Sequence, residues 1–210
     1  MSRKPVQERS TNYGQIGITS QAEFERFIPR GFHLNEHRAR IGHGRPRFDA
    51  AVAGLRTWQV QRLSGISVEV LPADAGDVYS PVIFDGDDVA RGASYEKPTD
   101  YDATGAALLQ PGDSAIQRIR VAGKQFQAPI RVISVLDEAD SHTVTFGALE
   151  GHPEKGEERM RVTIGEDGAV HFELRVIWAP NAWWLRPTMP WFKRIQRKHH
   201  GRFMTALTKV

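Results

Sequence analysis

Between residues 116 and 178 the chain alternates apolar and polar residues with a period of two, and no other feature limits its fold as tightly. Ile119 and Val121 alternate with Arg118 and Arg120; Ile130, Val132, Ser134 and Leu136 follow, then Val144, Phe146 and Ala148. Met160, Val162 and Ile164 are interleaved with Arg159, Arg161 and Thr163, and Val170, Phe172, Leu174, Val176 and Trp178 with His171, Glu173 and Arg175. Successive side chains on a strand point to opposite faces, so each run has one apolar and one charged face. The connections at 137–141 and 165–168 are short, and the second contains Asp-Gly, a hairpin signal. The pattern predicts five consecutive strands in an antiparallel meander, a sheet covered on one side only.

Something must cover the apolar side, and the C-terminal segment PWFKRIQRKHHGRFMTAL offers the cover. Trp191, Ile195, His199, Phe203 and Leu207 recur every four residues, Lys193, Arg197 and Lys198 take the other side, and Pro190 suits a first helical turn. The resulting class is α+β: a curved antiparallel β-sheet with a long C-terminal helix laid across it. A shorter helix is predicted over 46–60, where Phe48, Ala51, Val52, Leu55 and Trp58 share one face behind Pro46 and Asp49. SVEV (67–70) and VYSPVIF (78–84) read as strands, the second at an edge because of Pro81. Residues 1–12 read as a flexible tail and 13–210 as a single domain. Within it, 85–113 forms an acidic loop excursion, either solvated or a lid over a pocket.

Composition excludes several functions. The 210 residues include no Cys, which removes disulfides, thiolate nucleophiles and Cys-ligated zinc. The opening MSRKPVQERSTN lacks the apolar core of a secretory signal and no segment is apolar enough for a transmembrane span, so a cytoplasmic location is expected. After Glu173 the chain has eight Lys or Arg residues and no acid, so its basic charge is C-terminal. A net charge of only +3, and basic residues without interleaved aromatics, argue against a nucleic acid partner. No cofactor motif is present.

Three stretches carry groups able to do chemistry. GHPEKGEE (151–158) places His152, Glu154, Glu157 and Glu158 around Pro153 and Gly156, between two alternating runs. The plain reading is a solvated hairpin end. The alternatives are a metal or acid–base site, or one of Glu157 and Glu158 turning inward to accept hydrogen bonds. HLNEH (33–37) matches a zinc-peptidase pattern that works only on a helix, whereas Phe32 and Leu34 alternate as in a strand. In GHGRPRF (42–48), Arg45 and Arg47 before a helix start suit an anion, or simply a tight strand-to-helix turn.

Several of these pieces together resemble one family. Tyr13, Gly17 and Thr19 in YGQIGIT, Pro29 and Gly31, the run Gly42, Gly44, Phe48, Ala51, Leu55 and Trp58, GHPEKGEE, and Pro190, Arg194 and Gln196 are similar to domain-of-unknown-function family nineteen-ninety. That family is associated with the helix-grip superfamily of START-like and birch-pollen-allergen-like proteins. Ala148, Met160 and Trp178-Ala179-Pro180 depart from it, standing where Thr, Phe and Ser-Arg-Pro are expected. The resemblance implies a deep cavity between sheet and C-terminal helix for a small apolar or lipid-like molecule, and no particular reaction. The expected wall is Phe146, Val162, Phe172, Leu174, Trp178, Trp191, Ile195 and Phe203. Binding domain, acid–base or metal-assisted enzyme, and structural protein with a filled core all remain open on this reading.

Overall fold

The computed structural model describes residues 4–71, 99–102, 104–121, 123–181 and 189–209. In chain order the elements are β1 (His33–His43), α1 (Arg45–Arg56), α2 (Gln59–Leu63), β2 (Ser67–Leu71), β3 (Ser114–Val121), β4 (Lys124–Glu138), β5 (Ser141–Ala148), β6 (Glu154–Ile164), β7 (Ala169–Pro180) and α3 (Met189–Ala206). Among the described residues the strands form one seven-stranded antiparallel sheet in the order β1-β7-β6-β5-β4-β3-β2. The five-strand meander is β3 to β7, in the register that alternation predicts: Phe146 pairs with Glu158, Met160 with Leu174 and Val162 with Phe172. SVEV lies in β2, while VYSPVIF and most of the acidic excursion lie outside the described residues.

Two helical expectations need correction. The helix expected over 46–60 breaks at Trp58, which adopts a left-handed conformation (φ 63°) between α1 and α2. A side chain there costs about 1–2 kcal/mol. The conformation turns the indole into the core, 5.1 Å from the Phe146 ring, and burying so large a group is worth about 1.5–3 kcal/mol, enough to offset the strain. In α3 the buried residues are Gln196, His200, Phe203 and Ala206, with Leu207 just beyond, whereas Ile195 and His199 are only half-buried. A stripe taken every four residues overshoots each 3.6-residue turn by roughly 40° and winds off the contact line. Alternating steps of four and three keep to it, and they bring two polar residues against the sheet.

The face away from α3 is also not bare. Ile18 and Phe24, in short 3-10 turns, cover the buried Ile177, with Ile28, Phe32 and Leu34 packed around them. Residues 4–12, expected to be loose, are tied down as well. Val6 is buried, Arg131 donates to the Gln7 carbonyl, and the Asn12 amide donates to Leu149 O (3.2 Å) and Glu154 O (2.8 Å). Main-chain acceptors do much of this holding, and a polar sequence does not advertise them.

Two glycines give opposite tests of this packing. Gly156 (φ 131°) lets β6 approach β7 so closely that a Cβ would lie 1.9 Å from the Ile177 carbonyl oxygen, while a Cβ on Gly201 in α3 meets nothing within 4 Å. In denaturant unfolding, Gly156→Ala should lose about 3 kcal/mol, and Gly201→Ala should gain about 1 kcal/mol.

Candidate functional site

GHPEKGEE is less of a turn than its composition suggests. The loop between β5 and β6 is confined to 149–153, where the His152 N–H donates to Leu149 O at 3.0 Å, and Glu154 already opens β6. Strand alternation then separates the acids. Glu154 and Glu158 share the inner face with Met160 and Val162, and Glu157 points to the outer face with Arg159. The three glutamates of GHPEKGEE are therefore divided between the two sides of the sheet. Among the described residues no three His, Asp or Glu side chains are placed to hold a metal ion together.

On the outer face Glu157 is 2% exposed and met by four donors. Its Oε2 accepts from Gly17 N (2.6 Å) and the Tyr13 hydroxyl (2.9 Å), and its Oε1 from Thr19 N (2.9 Å) and the Thr19 hydroxyl. The Thr19 carbonyl in turn accepts from Arg159 (3.1 Å) and Arg175 (2.9 Å), and the Arg175 guanidinium lies 3.7 Å from the centre of the Phe24 ring. Burial, and secondarily the Glu157 charge, push the Tyr13 hydroxyl pKa upward, so it stays a donor. Glu157 therefore accepts its hydrogen bonds on the outer face rather than by turning inward, and it joins the YGQIGIT and GHPEKGEE pieces of the resemblance.

On the inner face a cavity of about 70 Å³ lies among Ile130, Phe146, Val176 and Trp178, with His152, Glu154 and Glu158 in its lining. Glu158 stands between its cross-strand neighbours Phe146 and Val176. Burial, helped by the Glu154 charge, raises its pKa to about 8. Burial raises Glu154 to about 7, although Gln196 Nε2 donates to its Oε1 at 2.8 Å and pulls the other way. Both residues are half-buried and line this cavity. His152 Nδ1 lies 2.9 Å from both the N–H and the carbonyl oxygen of Glu154, and burial lowers the His152 pKa to about 4, so the ring is neutral. Burial therefore favours the protonated, hydrogen-bond-donating form of both carboxyls. The pair can accept or release a proton near pH 7.

The residues expected as one cavity wall are not all in one place. Phe146 and Trp178 line the cavity, but Val162, Phe172, Leu174 and Phe203 belong to the close-packed core, Ile195 is only half-buried, and the Trp191 side chain lies outside the described residues. Sequence reasoning missed Ile130 and Val176, which sit in the same alternation, and Gln196, which a 3.6-residue period places inward. Arg45 and Arg47 form no anion site. Arg45 donates to Asp49 (3.0 Å) and Ala139 O (2.7 Å), and Arg47 to Ile41 O (3.0 Å) and Leu207 O, so both clamp the turn into α1. HLNEH lies in β1, an extended strand that cannot present its residues as a zinc-binding helix does.

A family model described as Domain of unknown function (DUF1990) matches residues 12–82 and 99–206. The chain belongs to this family. A comparison with curated proteins found no match. Among solved structures, a hypothetical protein of Helicobacter pylori is similar at 12% identity and a TM-score of 0.54, over 88% of this chain and 92% of that one. A major latex-like protein of Panax ginseng aligns at 14% identity and TM-score 0.43, over 85% and 93% of the two chains. Norcoclaurine synthase of Thalictrum flavum, solved with dopamine and hydroxybenzaldehyde, aligns at 12% identity and TM-score 0.43, over 99% and 95%. The fold is helix-grip, a curved seven-stranded antiparallel sheet with a C-terminal helix. The departures Ala148, Met160 and Trp178 all fall on the inner face, and Ala148 and Trp178 line the cavity.

The two faces of β6 lead to opposite expectations. Glu157→Leu strands four donors and should cost about 3 kcal/mol or more in unfolding free energy. Glu158 behaves differently because its folded pKa is raised above the ordinary 4.5. Its favourable contribution is complete below about pH 4.5 and is lost as pH rises through about 8, since the unfolded chain ionises first. Glu158→Gln should therefore raise thermal stability relative to the native chain at pH 8.5 and lose that advantage at pH 4.5. An advantage independent of pH would show that Glu158 is not held protonated.

Proposed function

We propose that this domain binds a compact small molecule in the cavity beneath α3, with an apolar body against Phe146, Val176 and Trp178 and a hydrogen-bonding head at Glu154 and Glu158. The observation that carries the reading is the carboxyl pair itself. Two acids set in an apolar wall carry a continuing desolvation cost, and a bound donor or cation offsets it. The helix-grip fold supports a ligand between sheet and helix.

Size argues for a smaller ligand than a lipid. Pockets for drug-sized molecules span about 300–1,000 Å³, and a cavity of about 70 Å³ admits a head group of a few heavy atoms. Since even the best small ligands gain at most about 1.5 kcal/mol per heavy atom, such a probe binds weakly and is best followed by NMR.

Propylamine, propanol and propionate share a body and differ in the head. Titrated into the isotope-labelled chain at pH 7, propylamine should move the amides of Phe146, Glu158 and Val176 saturably, propanol less, and propionate not at all. Glu158→Gln should weaken propylamine at least tenfold. Preference for propionate at these amides, or no saturable shift with any of the three, would refute the proposal.

A further inference from the structure

A second hollow, of about 370 Å³, lies between β1 and α3, on the far side of Trp178 and Gln196 from the carboxyl pair. His33, His37, His200, Lys193 and Arg197 are among its lining residues, Trp178 forms part of its floor, and no acidic residue lines it. Lys193 and Arg197 are one helical turn apart, so their like charges stand side by side at its rim. No carboxylate among the described residues pairs with either. The helix itself supplies none, since α3 carries five Lys or Arg and no Asp or Glu. On β1 the nearest acid in sequence, Glu36, points to the opposite face, where Arg175 holds it at 2.7 Å.

Much of the interior of the hollow is already partnered. With its amide turned so that the oxygen faces the indole, Asn35 accepts from Trp178 Nε1 at 3.0 Å and donates to Leu34 O at 3.1 Å. His200 Nδ1 and His37 Nε2 are 3.2 Å apart, and burial, with His37 and His199 nearby, lowers the His200 pKa to about 4. His33 packs against the Trp178 ring at 5.0 Å, and burial followed by the Lys193 charge lowers its pKa. Two cations with no carboxylate partner among the described residues therefore border a roomy pocket with an aromatic and imidazole floor. A solvated basic face has no such concavity behind it, and a packed one would have acids opposite.

We infer that this hollow binds a small organic anion, a carboxylate or a phosphate monoester, with its charge between Lys193 and Arg197 and its apolar body against Trp178 and His33. Guanidinium and ammonium groups differ in how they meet such a ligand. Arg197 can take two oxygens at once, and Lys193 acts as a point charge. The site shares Trp178 with the carboxyl cavity but not its acids, and the chemistry of that cavity favours the opposite head group.

Benzoate and phenyl phosphate, with benzyl alcohol as the uncharged control, test this on the full chain by isotope-edited NMR. Either anion should shift Asn35, His37, Lys193 and the Trp178 indole N–H saturably, while the amides of Phe146 and Glu158 in the other cavity stay in place. The tighter of the two identifies the head group. Lys193→Gln with Arg197→Gln, both exposed and so compatible with an unchanged fold elsewhere in the spectrum, should weaken binding at least tenfold. Three results would each overturn the inference: no saturable shift with either anion, equal affinity for benzyl alcohol, or affinity unchanged by the double substitution.

Discussion

A carboxylate taken out of water must find donors or give up its charge, and β6 shows both outcomes on adjacent residues. Glu157 finds donors. Gly17 and Thr19 offer backbone N–H groups and Tyr13 and Thr19 offer hydroxyls, so the segment before β1 is fixed to a strand about 140 positions later in the chain. That attachment brings Ile18 and Phe24 over Ile177 and places the Thr19 carbonyl between Arg159 and Arg175. Without it the outer face would be the bare charged surface that alternation alone implies.

Glu158, one residue further along, faces Phe146 and Val176 in place of donors. Its pKa rises, and the neighbouring Glu154 raises it further. Glu157 and Glu158 are neighbours in the five-residue stretch EKGEE (154–158), so composition cannot distinguish them. The neighbours supplied by β5 and β7 do. Gly156, between Glu154 and Glu157, is part of the same geometry because it lets β7 come close enough to enclose both sides.

These particulars explain what was legible. The five strands of the meander follow from period two, because a half-buried sheet forces that period on its sequence. The extent of β6 did not follow: His-Pro and Gly are turn residues, yet the turn ends at Pro153 and Gly156 is consumed in a close approach between strands, which no local pattern signals. The inner face of α3 was displaced because a four-residue stripe approximates a 3.6-residue turn only briefly. The outer cover by residues 4–28 was hidden for another reason. Its attachment relies on main-chain groups and on single side chains far apart in sequence. YGQIGIT and GHPEKGEE could be noticed separately, but only the folded chain shows that one supplies donors for the other.

The corrected face of α3 also divides the helix by the kind of contact it makes. Phe203, Ala206 and Leu207 sit in the core, where burying a large apolar side chain contributes about 1.5–3 kcal/mol. One to three turns earlier, Gln196 and His200 make single polar contacts to Glu154 and His37, each worth about 0.5–1.5 kcal/mol net. Among the described side chains, then, the helix is held firmly at its C-terminal end and more weakly at Gln196 and His200. The polar residues on the buried face therefore give the earlier part of the helix less of the apolar anchoring that Phe203 and Leu207 give its end.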